Sequence, residues 1–239
     1  MEFAPDKCKL LRVTRKTDRT IIPADYFIHG AQLELVTEAK YLGVTFDKKL
    51  NFNHHINNTV KKCDSARCFL QRNLRGCSRQ TKEASYKTFV RPIAEYACST
   101  WDPHRRNKDA ADKLEAMQKR AARFVHSNWR RTSSITAMLA ALQWQSLQHR
   151  RNLIKLRILH SIINGLIAVP HCHLAPPPLH IHNTRHATAG KFLHATARTH
   201  YQSTFFPSAA ALWNGLDRSI TTQADAELFQ GQLALVQFH

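Results

Sequence analysis

Apolar positions divide this chain into a strand-like start and a long helical body. Over residues 1–50 the apolar runs are short: Leu10, Leu11 and Val13, then Tyr26-Phe27-Ile28, then Leu33 to Val36, with Arg12, Arg15, Lys16 and Arg19 between them. Two of these runs flank His29-Gly30-Ala31-Gln32, which predicts a β-hairpin. Tyr41, Leu42, Val44 and Phe46 are β-formers around Gly43, and a glycine inside a strand marks a bulge or the close approach of another backbone.

Beyond residue 53 the period lengthens. Ile56, Val60, Cys63 and Leu70 keep helical spacing over about 54–76, with Lys61, Lys62, Arg67 and Arg72 outside the stripe and Gly76 as a stop. Ser78 is a candidate N-cap for a helix to Tyr96, which Pro92 should kink or divide. Leu114, Met117, Ala121, Phe124 and Val125 make one stripe of a helix over 109–126, with Lys113, Lys119, Arg120 and Arg123 on another side. Ser133-Ser134 opens a short helix to Leu142, and Trp144, Leu147, Ile154, Ile158 and Ile162 mark a long one ending near Gly165. Apolar periodicity is lost over 168–200, where Pro170, Pro176, Pro177 and Pro178 stand among many histidines, so a loop or linker is expected. A short helical unit follows, with a last amphipathic helix expected from Ala226 to Phe238.

Charge sharpens this picture. Thirty-five Lys+Arg against seventeen Asp+Glu give +18 at neutral pH, which favours a polyanionic partner; a merely solvated basic surface is the plain alternative. The hydrophobic fraction of 43% suffices for a core, with no apolar run long enough to span a membrane. The start of the chain lacks the pattern of a signal peptide, so a nuclear or cytoplasmic location is expected. The six cysteines include no C-x-x-C pair and are read as free thiols. His171, Cys172, His173, His180, His182 and His186 offer zinc-type ligands, but without regular structural-zinc spacing; a solvated His-rich loop is preferred and no metal site is assigned.

Specific strings go further. Lys40-Tyr41-Leu42-Gly43-Val44, continuing through Asp47, Leu50, His55 and Ile56, resembles the segment after the catalytic palm core in reverse transcriptases of non-LTR (LINE-type, jockey-like) retrotransposons. In that family it leads from the primer-grip hairpin into the thumb. Phe3 to Lys9 is similar to the family's N-P-x-K-C string, with Ala4 in place of Asn. Tyr86 to Ala97 resembles its Y…V-R-P-I-x-E-Y-A block, continued by Trp101-Asp102-Pro103. Leu114 to Phe124 and Leu142 to Arg151 resemble its L-E-x-x-Q-R-R-A-A-R and L-x-W-x-x-L-x-x-R-R strings. Ser203 to Pro207 with Trp213-Asn214-Gly215-Leu216 resembles its closing S-F-F-P…W-N-x-L signature, with Thr204 inserted.

The resemblance implies a mainly α chain: a small N-terminal antiparallel β unit (palm remnant, 1–52), a helical thumb-like bundle and connector (53–167), a Pro/His-rich linker (168–200) and a short C-terminal helical unit (201–239). It implies nucleic-acid-binding roles for Lys7, for Tyr41, Leu42 and Gly43 at the primer grip, and for Arg120, Arg123, Arg150 and Arg151, with RNA or a primer–template as partner. Polymerase chemistry needs paired carboxylates for two metal ions, and the sequence contains no Asp-Asp pair. No catalytic residue is assigned and no cofactor is expected; Mg2+ belongs only to an intact polymerase. The alternatives are a domesticated nucleic-acid-binding adaptor, a module that binds the missing polymerase half in trans, and a non-functional remnant.

Overall fold

The computed structural model describes residues 4–14, 25–103, 107–169 and 204–238. After a 3-10 turn at Pro5–Lys7 come six short strands: β1 (Lys9–Leu11), β2 (Phe27–Ile28), β3 (Ala31–Gln32), β4 (Glu34–Val36), β5 (Glu38–Tyr41) and β6 (Val44–Asp47). β2–β3 and β5–β6 are antiparallel, as the sequence predicts, but β1 and β4 pair in parallel. The first hairpin is tighter than its pattern suggests. Ala31-Gln32 is its second strand, and His29-Gly30, both at positive φ, make a two-residue turn. That frees Leu35 and Val36 to pair with Leu10 and Leu11.

Ten helices follow among the described residues: α1 (Asn53–Asn73), α2 (Arg79–Ser85), α3 (Arg91–Glu95), α4 (Cys98–Trp101), α5 (Lys108–His126), α6 (Ile135–Ala141), α7 (Leu147–Ile163), α8 (Phe205–Asn214), α9 (Arg218–Thr221) and α10 (Ala226–Leu233). Caps fix most of their starts. Ser78, Asn107, Ser134, Ser146, Asp217 and Asp225 accept hydrogen bonds from the first-turn amides of their helices. α1 has no such cap. Instead the Asp47 carboxylate accepts from the amides of Lys49, Asn51 and Phe52, tying the end of β6 to the entry of α1.

Pro92 divides its helix in a particular way. Between α2 and α3 the five residues Tyr86–Val90 form a π-helical turn. Proline lacks an amide donor and its ring crowds the carbonyl four residues back; the wider turn relieves both. α10 is shorter than expected: the chain leaves the helix at Ala234 and packs Val236 and Phe238 onto the core, with the Phe238 ring 5.0 Å from that of His149.

Two buried clusters hold the body together. The first gathers Ile56, Cys63 and Leu70 of α1 with Tyr86, Val90, Trp101, Leu114, Met117, Phe124 and Leu147. The second sets Leu156, Leu159 and Ile162 of α7 against Trp213, Phe229 and Leu233. α7 contributes to both, so the C-terminal helices rest on the same helix that closes the main bundle. His160 joins them further, donating from Nε2 to the Gln223 carbonyl (2.8 Å) and stacking on Phe229.

Candidate nucleic-acid interface

α1 and α5 lie side by side and run parallel. Three polar bridges advance together along them: Asn107 to Asn53, Lys113 Nζ to Asn57 Oδ1 at 2.9 Å, and Arg120 to Asp64. The bidentate Arg120–Asp64 pair closes at 3.0 and 2.6 Å. Burial pushes the Asp64 carboxyl up, but Arg120 and Arg67 outweigh it and hold the group below the usual carboxylate range.

At 100° per residue, the exposed positions of both helices fall on one side of this seam. On α1 these include Lys61, Lys62 and Arg72; on α5 they include Lys113, Lys119 and the half-buried Arg120 and Arg123. Asp64 is the only acidic residue of α1, and Arg120 and Arg67 occupy it. Asp109 and Asp112 are the exposed acids of α5. From Ala116 to Leu216 the sequence contains no Asp or Glu. The arrangement is a two-helix surface whose side-chain charge is positive on balance, suited to phosphate rather than to a base edge.

The residues singled out from the sequence fall into different environments. Lys7 is exposed on the 3-10 turn, apart from the helix pair. Tyr41 and Leu42 are 68% and 73% exposed at the β5–β6 turn. Gly43 has φ +85°, and a Cβ there would stand 3.2 Å from the Tyr96 ring; Tyr96 donates from its hydroxyl to the Leu42 carbonyl at 2.9 Å. Gly43 therefore lies in the turn between β5 and β6 and not inside a strand, and what approaches it is an aromatic ring of the helical body, not another backbone.

The four arginines are each engaged. Arg120 holds Asp64 and remains partly open to solvent; Arg123 donates from Nη1 to the Arg130 carbonyl at 2.9 Å, beyond the end of α5. Arg150 is ion-paired with Glu95. Arg151 has no solvent exposure: Nε meets Asp102 Oδ1 at 2.6 Å and Nη2 meets Gln148 at 2.9 Å, while Lys155 occupies the other Asp102 oxygen. In this fold Arg151 anchors α7 to the end of α4 and does not reach solvent. Lys61, Lys62 and Lys119 are better placed for phosphate. Their signal was already in the sequence, as the polar sides of two strongly patterned helices.

Other chemistry finds little purchase. Burial pushes the Cys63 thiol up to about 12 and the Cys98 thiol to about 11, so neither is a nucleophile near neutral pH. Among the described residues there is no cluster of three or more metal-capable side chains; the histidines of 171–186 and Cys172 lie outside the described residues. No described helix is long and apolar enough to cross a membrane.

Comparison with known proteins places this geometry in context. The chain is 32% identical over 114 residues to a "Probable RNA-directed DNA polymerase from transposon BS" of Drosophila melanogaster, covering 46% of this chain and 12% of that protein. It is 31% identical over 133 residues to an uncharacterized protein of Caenorhabditis elegans, covering 52% of this chain and 62% of the relative. The chain therefore spans under two thirds of each, and only about an eighth of the transposon protein. No protein-family model and no solved structure matches. The first similarity supports a relationship to transposon-encoded RNA-directed DNA polymerases and a polymerase-related origin.

Proposed function

We propose that this chain is the end of the palm, the thumb and the downstream helical region of a non-LTR (LINE-type, jockey-like) retrotransposon reverse transcriptase. In this reading it binds RNA or a primer–template duplex through phosphate contacts and makes no DNA by itself. The observation that carries the reading is the α1–α5 surface, where Lys61, Lys62, Arg72 and Lys119 face solvent and the only carboxylate of α1 is taken up by arginines. Phosphate contacts of this kind position a strand without reading its sequence. The sequence has no Asp-Asp pair to hold two metal ions, which supports a binding role without polymerisation.

The test is binding of the purified chain to a primer–template duplex over a salt series, with magnesium and nucleotides in parallel tubes. Affinity that falls steeply with salt, without nucleotide incorporation, is the expected result. Absence of binding at low salt refutes the reading.

A second reading has its own observation. Val13, Tyr26, Phe27, Leu35, Tyr41 and Leu42 are all more than half exposed on the small N-terminal strands and the residues beside them. Two- and three-residue strands with open edges favour a module that docks in trans on the missing polymerase half. Pull-down by separately produced fingers and palm, resistant to nuclease, would select that reading.

A further inference from the structure

The loop between α5 and α6 carries Arg130-Arg131-Thr132-Ser133-Ser134. Arg130, Arg131 and Thr132 are exposed, and Ser133 is half-buried. The loop is held mainly through Asn128 and the Arg130 carbonyl. Asn128 Oδ1 accepts from the Arg130 amide at 3.1 Å and from the Ser133 hydroxyl at 3.0 Å. The Arg130 carbonyl accepts twice, from the Ser133 amide at 3.2 Å and from Arg123 Nη1 at 2.9 Å. Ser133 and the Arg123 guanidinium therefore share one acceptor and sit side by side. At the start of the loop, Lys82 Nζ donates to Ser127 Oγ at 2.7 Å. Ser133 thus has Arg123 beside it in space and Arg130 and Arg131 just before it in sequence, in a stretch without a carboxylate.

We propose that Ser133 is the acceptor of a basophilic, ATP-dependent protein kinase, and that the phosphate draws Arg123 away from the nucleic-acid surface. The second half rests on the binding role proposed above. Arg130 and Arg131, three and two residues before the hydroxyl, are the cations that acidic pockets of such kinases pair with. The tip of the loop, Arg130 to Thr132, is exposed, and Ser133 is freed by breaking its hydroxyl bond to Asn128 and its amide bond to the Arg130 carbonyl. In the transfer, Ser133 Oγ bonds to the γ-phosphorus, the bond to the bridging oxygen of ADP breaks, and the hydroxyl proton passes to the kinase base. The product carries about two negative charges and three acceptor oxygens. Ser133 then no longer donates to Asn128, and Arg123 exchanges a carbonyl partner for a dianion, a stronger one. The positive surface loses its α5 end.

The experiment treats the purified chain, with Ser133→Ala and Ser134→Ala variants, with a basophilic kinase, magnesium and ATP. Peptide mass spectrometry locates the phosphate, and RNA-duplex titration follows on the modified protein. One phosphate on Ser133, lost in Ser133→Ala and retained in Ser134→Ala, is expected, with affinity about tenfold weaker and a shallower salt slope. No incorporation, or label on Thr132 or Ser134 instead, overturns the site. A phosphorylated protein that binds as before overturns the regulatory half. An unmodified chain that fails to bind at low salt removes the nucleic-acid reading, while the mapped phosphate still decides the site. Matching circular dichroism of the variants excludes misfolding as the cause of lost label.

Discussion

Arg151 and Asp102 form a buried pair, Nε to Oδ1 at 2.6 Å, with the arginine wholly out of solvent and the carboxylate 6% exposed. Lys155 shares the same carboxylate. Two cations thus depend on a single anion, and the three mutations differ in what they leave behind. Asp102→Asn strands two buried positive charges and costs about 3–5 kcal/mol. Arg151→Met keeps a neutral Asp102–Lys155 pair and fills similar volume, so it costs less. Denaturant unfolding of the two variants ranks them; Arg151→Met as the more damaging change would contradict the assignment of Asp102 as the hub.

The same pair separates binding from stability. Lys61→Ala, Lys62→Ala and Lys119→Ala should each lower the slope of log affinity against log salt by about one, with unfolding little changed. Arg151→Met should leave that slope as it is, because its side chain has no route to phosphate. Equal slopes for wild type and the triple lysine variant would mean that nucleic acid lies elsewhere.

Acid should loosen the join between the β5–β6 hairpin and α1. His55 is buried under Trp101, and its Nδ1 accepts from the Thr45 amide at 3.2 Å, a bond that needs a neutral ring nitrogen. Burial, then Lys62 and His54, hold its pKa below the ordinary 6.5. The unfolded chain therefore binds the proton more readily than the folded one. Stability is full above about pH 6.5 and falls as pH drops through and below that value. His149, lowered by burial and Arg150, adds a decline of the same sign. Melting temperatures between pH 7.5 and 5.5 should fall, and His55→Asn should flatten part of that fall. A melting temperature constant over the range would refute the join.

Gly43 is the position where the hairpin meets the helical body. Gly43→Ala should cost about 1–2 kcal/mol, from the positive φ and from the 3.2 Å approach to Tyr96. Tyr96→Phe should cost about 0.5–1.5 kcal/mol by removing the bond to the Leu42 carbonyl. Amide exchange at Val44 and Thr45 should quicken in both. Unchanged exchange would show that Tyr96 does not hold the turn.

The helices were legible where one side is apolar over several turns. The stripe Leu114, Met117, Ala121, Phe124, Val125 is buried, and α5 starts and stops within a residue of its expected span. The parallel β1–β4 pairing was not legible. Runs of two or three residues carry no register, and only the tight His29-Gly30 turn frees β4 to meet β1 in parallel. The roles of Arg150 and Arg151 were hidden for another reason. Adjacent on a helix, they point about 100° apart. One meets Glu95 and the other Asp102, some fifty positions earlier in the chain. A basic pair looks the same in sequence whether a carboxylate or solvent faces it. Lys61, Lys62 and Lys119 show the reverse: the pattern put them on polar sides, and they are the exposed ones.

The parallel course of α1 and α5 also sets an order in time. A helix of 21 residues is about 30 Å long, and the chain must travel that distance back before a second helix can start alongside in the same direction. α2 to α4 make that return, so Asn53 meets Asn107, and Asp64 meets Arg120, across more than fifty intervening residues. On a ribosome, α1 emerges long before its neighbour, and until α5 is complete its Asp64 has Arg67 but lacks Arg120. Contacts of such separation close slowly. The basic surface is therefore assembled late in synthesis, and a nascent chain halted before residue 126 would present only half of it.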